Sequence, residues 1–205
     1  MTKVKTLLGT LKYVFIDGEG RNTAMKGEAD RFRYVVSYVV PKDSEAHLHL
    51  KKLIDEEWEA YKKQYGIKGQ PKTNGIKEEF MKDPKGTIDP ETEDVKRIPT
   101  GNIIATFSTN TKWPDGKEQV IKVYDRKGAN ITEAVHGAEW KIGNDSQGIV
   151  FGSAHANNIG GTHKVSLYLT GLQIAKLVKY EGSECDADEL DGEDIDFGDD
   201  ATPAL

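Results

Sequence analysis

The chain has 205 residues, 28 lysines and arginines against 34 aspartates and glutamates, a formal net charge of −6 and a mean hydropathy of −0.60. That length supports one domain with a sizeable core; no apolar run approaches the ~18 residues of a membrane span, and a single cysteine, Cys185, rules out an intrachain disulfide and a cysteine-based zinc site. The net charge conceals an asymmetry: residues 181–205 hold eleven carboxylates and no lysine or arginine, which leaves 23 acids facing all 28 basic residues in the first 180.

Met1 to Thr10 has two lysines but no apolar core followed by a small-residue cleavage site, so a cytoplasmic location is expected. Lys3 to Ile16 and Phe32 to Val40 are β-rich, the second alternating Phe32, Tyr34, Tyr38 and Val40 with Arg33, Val35 and Ser37. Asp17 to Asp30 between them is a glycine- and charge-rich loop. Pro41 closes the second strand, and Asp43 or Ser44 can cap a helix whose Leu50, Leu53, Ile54, Trp58, Tyr61 and Tyr65 recur at helical spacing until Gly66. Those aromatics read as core contacts, because a lone surface helix needs such a stripe to dock.

Residues 68–101 carry four of the seven prolines and few apolar residues, and read as a long loop insertion with a short helix at Ile76 to Lys82. From Asn102 the chain returns to strands: Asn102 to Trp113, Gln119 to Asp125, around Ala138 to Ile142, Gly148 to Ala156, and Lys164 to Tyr180. Turn signals at Pro114-Asp115-Gly116 and Asn157 to Gly161 separate them, which predicts a mainly β, antiparallel barrel or sandwich with α+β elements.

Sorting each strand by its period of two gives candidate surfaces. Val165, Leu167 and Leu169 form an apolar face, leaving Lys164, Ser166, Tyr168 and Thr170 outward. Ile121 and Val123 oppose Lys122 and Tyr124, while Ala105 and Phe107 suit the core and Trp113 stands at a turn. Faces that combine lysines with tyrosines suit single-stranded nucleic acid, where cations neutralise phosphates and unpaired bases stack on rings. Tyr124, Tyr168, Trp113 and Phe151 are the candidate stacking residues, and Arg33, Lys122, Arg126, Lys127 and Lys164 the candidate cations. Each has an ordinary alternative: tyrosines also serve strand packing, and single charges are also just solvated.

No catalytic constellation emerges, so no enzyme, cofactor or metal is expected. His47, His49, His136, His155 and His163 form no pair with ligand spacing, and His47 and His49 diverge on the predicted helix. Asp194, Asp196, Asp199 and Asp200 mimic a two-metal cluster but sit in a segment too polar to fold. Gly18-Glu19-Gly20 and Gly160-Gly161 follow no phosphate-binding signature. A body of about +5 tethered to a tail of −11 fits a nucleic-acid binder that carries its own competitor, or a solubilising disordered end.

Three stretches resemble the bacteriophage single-stranded DNA-binding proteins of the OB-fold type: TKWPDGKEQVIKVYDRKGANI from Thr111 to Ile131, IGNDSQGIVFGS from Ile142 to Ser153, and VSLYLTGLQIAKLV from Val165 to Val178. Tyr34 to Lys42, ending in Pro-Lys before a helix and a proline-rich excursion, fits the same pattern. The resemblance spans most of Leu11 to Val178, plus the acidic tail. It implies an elaborated five-stranded antiparallel OB barrel over residues 1–180, with a disordered acidic tail over 181–205. It also implies stoichiometric, sequence-nonspecific coating of single-stranded DNA in phage replication, recombination or repair, in the cytoplasm of the infected host.

By position, Lys112 and Trp113, then Lys122, Tyr124 and Arg126, then Lys164 and Tyr168 would line the groove. The tail would recruit a polymerase, helicase or primase. Tails of this kind often end on an aromatic residue, whereas this one ends Thr202-Pro203-Ala204-Leu205, so Asp194, Ile195, Asp196 and Phe197 are the expected partner-binding element. The competing reading is a structural or adaptor protein that binds only other proteins through barrel and tail.

Overall fold

The computed structural model describes residues 1–24 and 29–180. The predicted partner-binding element Asp194 to Phe197, and the tail as a whole, lie outside the described residues. Among the described residues, eleven strands and two helices follow one another: β1 (Thr2–Lys5), β2 (Gly9–Phe15), β3 (Arg21–Asn22), β4 (Phe32–Pro41), α1 (Glu45–Tyr65), β5 (Ile76–Lys82), β6 (Arg97–Asn110), β7 (Lys122–Tyr124), α2 (Thr132–His136), β8 (Lys141–Ile142), β9 (Ser146–Ile159), β10 (Thr162–Lys176) and β11 (Lys179–Tyr180). No described helix is long and apolar enough to cross a membrane.

The main sheet runs β5-β6-β4-β2-β9-β10-β7, with β1 paired to β9 and β3 to β4. The mainly β class is as expected. The five-stranded closed barrel is not what the ladders describe: the hydrogen-bonded path is open, β5 extends it beyond β6, and β7 joins β10 in parallel rather than antiparallel. Around the open side, Thr73 bridges Lys164, and Val165 N–H donates to the Thr73 carbonyl at 2.9 Å.

Alternation explains the core. Leu11, Tyr38, Phe107, Ile121, Val123 and Val150 are fully buried on the inner faces of five strands and the approach to β7. Tyr38 donates its hydroxyl to the Leu7 carbonyl at 3.0 Å, and burial pushes its pKa up to about 12 despite a hydrogen bond with Thr6 that works the other way. The predicted helix is observed: Ser44 Oγ accepts from His47 N–H at 3.3 Å, and Gly66 ends it at φ 65°. Leu50, Ile54 and Trp58 are buried and Leu53 and Tyr61 pack beside them, but Tyr65, expected in the core, is 59% exposed.

Several elements differ from the sequence reading: α2 is not anticipated by it, the single strand read over Lys164 to Tyr180 divides into β10 and β11, and two further differences have a visible cause. Lys3 to Ile16, read as one strand, breaks into β1 and β2. Thr6 ends the first by pairing with Val150, its N–H donating to the Val150 carbonyl at 3.1 Å and its Oγ1 accepting the Val150 N–H at 2.9 Å. Ile76 to Lys82, read as a helix within a loop, is a strand hydrogen-bonded to β6, which itself starts at Arg97. Local propensity was overridden by pairing across the hairpin, and the hairpin is tied down where Glu79 accepts from Lys12 at 2.7 Å, Thr100 at 2.8 Å and Asn102 at 3.0 Å.

In β10 the ladder to β9 slips between Leu169 and Gly171. Before the bulge Val165, Leu167 and Leu169 face the core; after it Leu172 and Ile174 do. One extra residue therefore reverses the inward and outward phase of the strand.

Candidate nucleic-acid interface

Strands β1, β9, β10 and β7 present one continuous outward face. On β9, Val150, Ala154 and Ala156 are buried, so Phe151, Ser153, His155 and Asn157 point away from the core. Lys3 and Lys5 lie opposite Ser153 and Phe151 on β1. Lys164, Ser166 and Tyr168 lie opposite Asn157, His155 and Ser153 on β10. Lys122 lies beside Gly171, and Tyr124 beside Gln173, on β7. Five of the sequence-predicted residues, Lys122, Tyr124, Phe151, Lys164 and Tyr168, thus share this face.

Ring contacts set the spacing of the aromatics. Tyr124 meets Phe151 edge to face with centroids 6.1 Å apart, and His155 meets Tyr168 at 6.1 Å and 62°. Lys5 Nζ lies 5.8 Å from the Phe151 centroid. Arg126 and Lys127 are exposed on the turn after β7, which Asp125 shapes by accepting the Lys127 and Ala129 N–H groups at 2.8 Å. Gln173 reaches the same turn through the Asp125 carbonyl, at 3.2 Å.

The remaining three predicted residues stand elsewhere. Arg33 is on the outer side of β4, its guanidinium donating to Asn110 Oδ1 and Ser108 Oγ at 3.2 Å. Lys112 and Trp113 belong to the β6–β7 connection, where Trp113 N–H donates to the Lys117 carbonyl at 2.7 Å and the indole is 56% exposed. The backbone of Lys112 pairs with that of Glu118 in an isolated antiparallel bridge, and Lys112 lines a pocket of about 490 Å³ with Asp17, Glu19 and Glu118. These acids set the local potential: the Tyr34 hydroxyl beside them has its pKa raised first by burial and then by Glu118 and Asp17. Lys112 thus sits among carboxylates, apart from the β1–β9–β10–β7 face.

Sequence reasoning missed Lys5, His155, Phe15 and Arg21. Arg21 lies 5.9 Å from the Phe15 centroid and opposite Arg33 in the β3–β4 ladder, which makes a second cationic and aromatic patch on the outer side of β2, β3 and β4. Alternation along β2 would have found Phe15 but for an irregularity at Tyr13, whose φ of 50° breaks the count. Two of the histidines take structural roles: His47 Nδ1 accepts from Asp43 N–H at 2.9 Å, and His49 Nε2 sits 3.0 Å from the Lys5 carbonyl. Among the described residues no group of three histidine, cysteine or acidic side chains is arranged to hold a metal.

The chain shares its fold with bacteriophage single-stranded DNA-binding proteins. It is similar to the gp2.5 single-stranded DNA-binding protein of bacteriophage T7, with a TM-score of 0.57 and 18% identity over 94% of this chain and 98% of that one. It is similar also to the single-stranded DNA-binding protein of bacteriophage Enc34 in complex with single-stranded DNA, at 0.55 and 18% over 85% and 86%. No protein-family model matches the sequence, and no curated protein does.

Proposed function

We propose that this chain binds single-stranded DNA without strong sequence preference along the β1–β9–β10–β7 face, with the Arg21–Arg33 patch as a second contact zone. The observation that carries this reading is the single outward face on which Lys3, Lys5, Lys122 and Lys164 alternate with Tyr124, Phe151 and Tyr168. Lysines neutralise phosphates and release counterions, and rings stack unpaired bases. The near approach of β10 to the segment before β5, together with the β2–β4–β6 and β9–β10 ladders, supports an OB-type barrel, a fold whose open faces bind oligonucleotides.

In this reading the protein coats single strands in phage replication, recombination or repair inside the infected host cell. Its eleven tail carboxylates compete for the basic face when DNA is absent, and the Asp194 to Phe197 element recruits replication proteins when DNA displaces the tail. Fluorescence titration with oligothymidylate across a salt series tests the core of the proposal. Saturable binding that weakens steeply with salt is expected. Retention of neither oligothymidylate nor DNA-cellulose, in a folded protein, returns the chain to the adaptor class.

A further inference from the structure

The outward face of β9 does not stop at Ser153, opposite Tyr168. It runs on into a pocket of about 370 Å³ between β9 and the last two turns of α1, lined by Tyr61, Gln64, Tyr65, His155, Asn157 and Asn158 among others. Two buried polar atoms of its wall, His155 Nδ1 and Asn157 Oδ1, have no hydrogen-bond partner among the described residues. They belong to alternate residues on the same side of the same strand, and both residues line the pocket. Buried polar groups are ordinarily satisfied, and two orphans in one concave site ask for a ligand that supplies the missing donors and acceptors.

The rest of the wall fits the same ligand. Tyr65 is exposed, and its ring packs 4.8 Å from that of Tyr61, which in turn stacks on Trp58 at 5.5 Å and 25°. The Tyr61 hydroxyl is held by His163 Nδ1 at 3.3 Å, which fixes the ladder from the β10 side. Glu57 is spent: its oxygens accept Ala156 N–H at 3.1 Å, Thr2 Oγ1 at 2.9 Å and the N-terminal ammonium at 3.1 Å, so it presents no free charge to a ligand. An aromatic ladder beside an unpaired amide oxygen and an unpaired imidazole nitrogen, without net charge, recognises a flat heterocycle with donors and acceptors on its edge.

We infer that the α1–β9 pocket is a nucleobase subsite, in which one base of a bound single strand stacks at Tyr65 and hydrogen-bonds Asn157 and His155. The inference rests on the proposed single-strand binding and adds to it a position where base identity is read. The backbone of that strand continues over the lysines of β1 and β10, and the base at its end turns into the pocket.

Photocrosslinking of full-length protein to an oligonucleotide carrying 5-iodouracil, with Tyr65→Ala and Asn157→Ala as variants, tests it. Adducts on the peptides carrying Tyr65 or His155 are expected. Tyr65→Ala should weaken oligothymidylate binding roughly tenfold by removing a stacking partner. Asn157→Ala should change the order of affinity among oligo-dT, oligo-dC and oligo-dA. Tyr65 is exposed and the Asn157 amide reaches Ser166 only at 3.5 Å, so unchanged melting temperatures accompany these losses. Crosslinks confined to other peptides, with both variants binding all three homopolymers as wild type does, would overturn the subsite and leave single-strand binding standing. A wild-type protein that binds no single strand overturns both.

Discussion

Tyr124 on β7 reaches Phe151 on β9 across the intervening strand β10, where Gly171 lies opposite Phe151 on one side and Lys122 on the other. A Cβ there would stand 2.9 Å from the Lys122 carbonyl and in ordinary contact, 3.6 Å, with the Phe151 ring, so the glycine lets β7 pair closely with β10 beside the two rings, which meet at 86°. Replacing either ring by alanine is expected to cost about 1 to 3 kcal/mol of single-strand affinity, the worth of one stacked base. Oligothymidylate titration of Tyr124→Ala and Phe151→Ala, with circular dichroism to verify folding, measures it; wild-type affinity in both removes the pair from the interface.

Lys122 and Lys164 act in this scheme through charge. Each alanine substitution should lower affinity and flatten the dependence of log K on log salt by roughly 0.7 for each phosphate no longer neutralised. The slope separates the two kinds of residue: loss of Tyr124 or Phe151 shifts the line without tilting it, and a tilt in the ring variants or none in the lysine variants contradicts the assignment.

Removal of Asp186 to Leu205 takes away nine of the eleven tail carboxylates. The truncated protein should bind single strands more tightly, with the difference largest at low salt and vanishing as the Debye length shortens. Equal affinities throughout a salt titration dispose of the competition between tail and DNA.

The Lys12–Glu79 pair fastens the β5–β6 hairpin to β2. Burial works to raise the Glu79 pKa, but hydrogen bonds from Lys12, Asn102 and Thr100 outweigh it and hold the carboxyl below its ordinary 4.5; the hydrogen bond to Glu79 in turn raises Lys12 above 10.5. A depressed acid stabilises the fold above its unfolded pKa and loses that contribution as pH falls through the folded value; a raised lysine stabilises below its unfolded pKa and loses it as pH climbs through the folded one. Glu79→Gln should therefore melt earlier than wild type near neutral pH, with the gap closing under acid. A gap that stays constant from neutral pH down into acid, or none at all, refutes the linkage.

Gly152 lies on the inner side of β9 against the Tyr168 carbonyl and the Phe107 ring, and an added Cβ would collide with that carbonyl. Backbone cannot yield as a side-chain tip does, so Gly152→Ala should destabilise by roughly 1 to 3 kcal/mol and lower both melting temperature and DNA affinity. An unchanged melting temperature would show that β9 and β10 separate freely at this point.

Much of this architecture was legible because alternation and capping are local. Ser44 and Gly66 bracket α1, and Val165, Leu167 and Leu169 face inward as their spacing requires. What was hidden depends on partners distant in sequence. Ile76 to Lys82 has few apolar residues and becomes a strand through β6, and Thr6 divides β1 from β2 by bonding a residue 144 positions away. Among the site residues, Lys122, Tyr124, Phe151, Lys164 and Tyr168 came together because each follows its own strand's period. Lys5 needed the β1–β9 pairing to be seen, and two of the acids around Lys112, Asp17 and Glu19, arrive from the loop after β2.

The slip in β10 makes that strand behave like a reading frame. Tyr168 belongs to one phase, and Leu172 and Ile174 to the other, with a single unpaired step between them. Thr170 is the extra residue: its neighbours Leu169 and Gly171 face consecutive residues of β9, Gly152 and Phe151, so deleting it would close the ladder into regular pairing with Leu169 and Leu172 both still inward, whereas deleting a paired residue beside it would turn part of the strand out of the core. The position the ladder skips is thus the one place where this stretch can lose a residue and keep its register, and the count of paired residues on either side is what the strand must preserve.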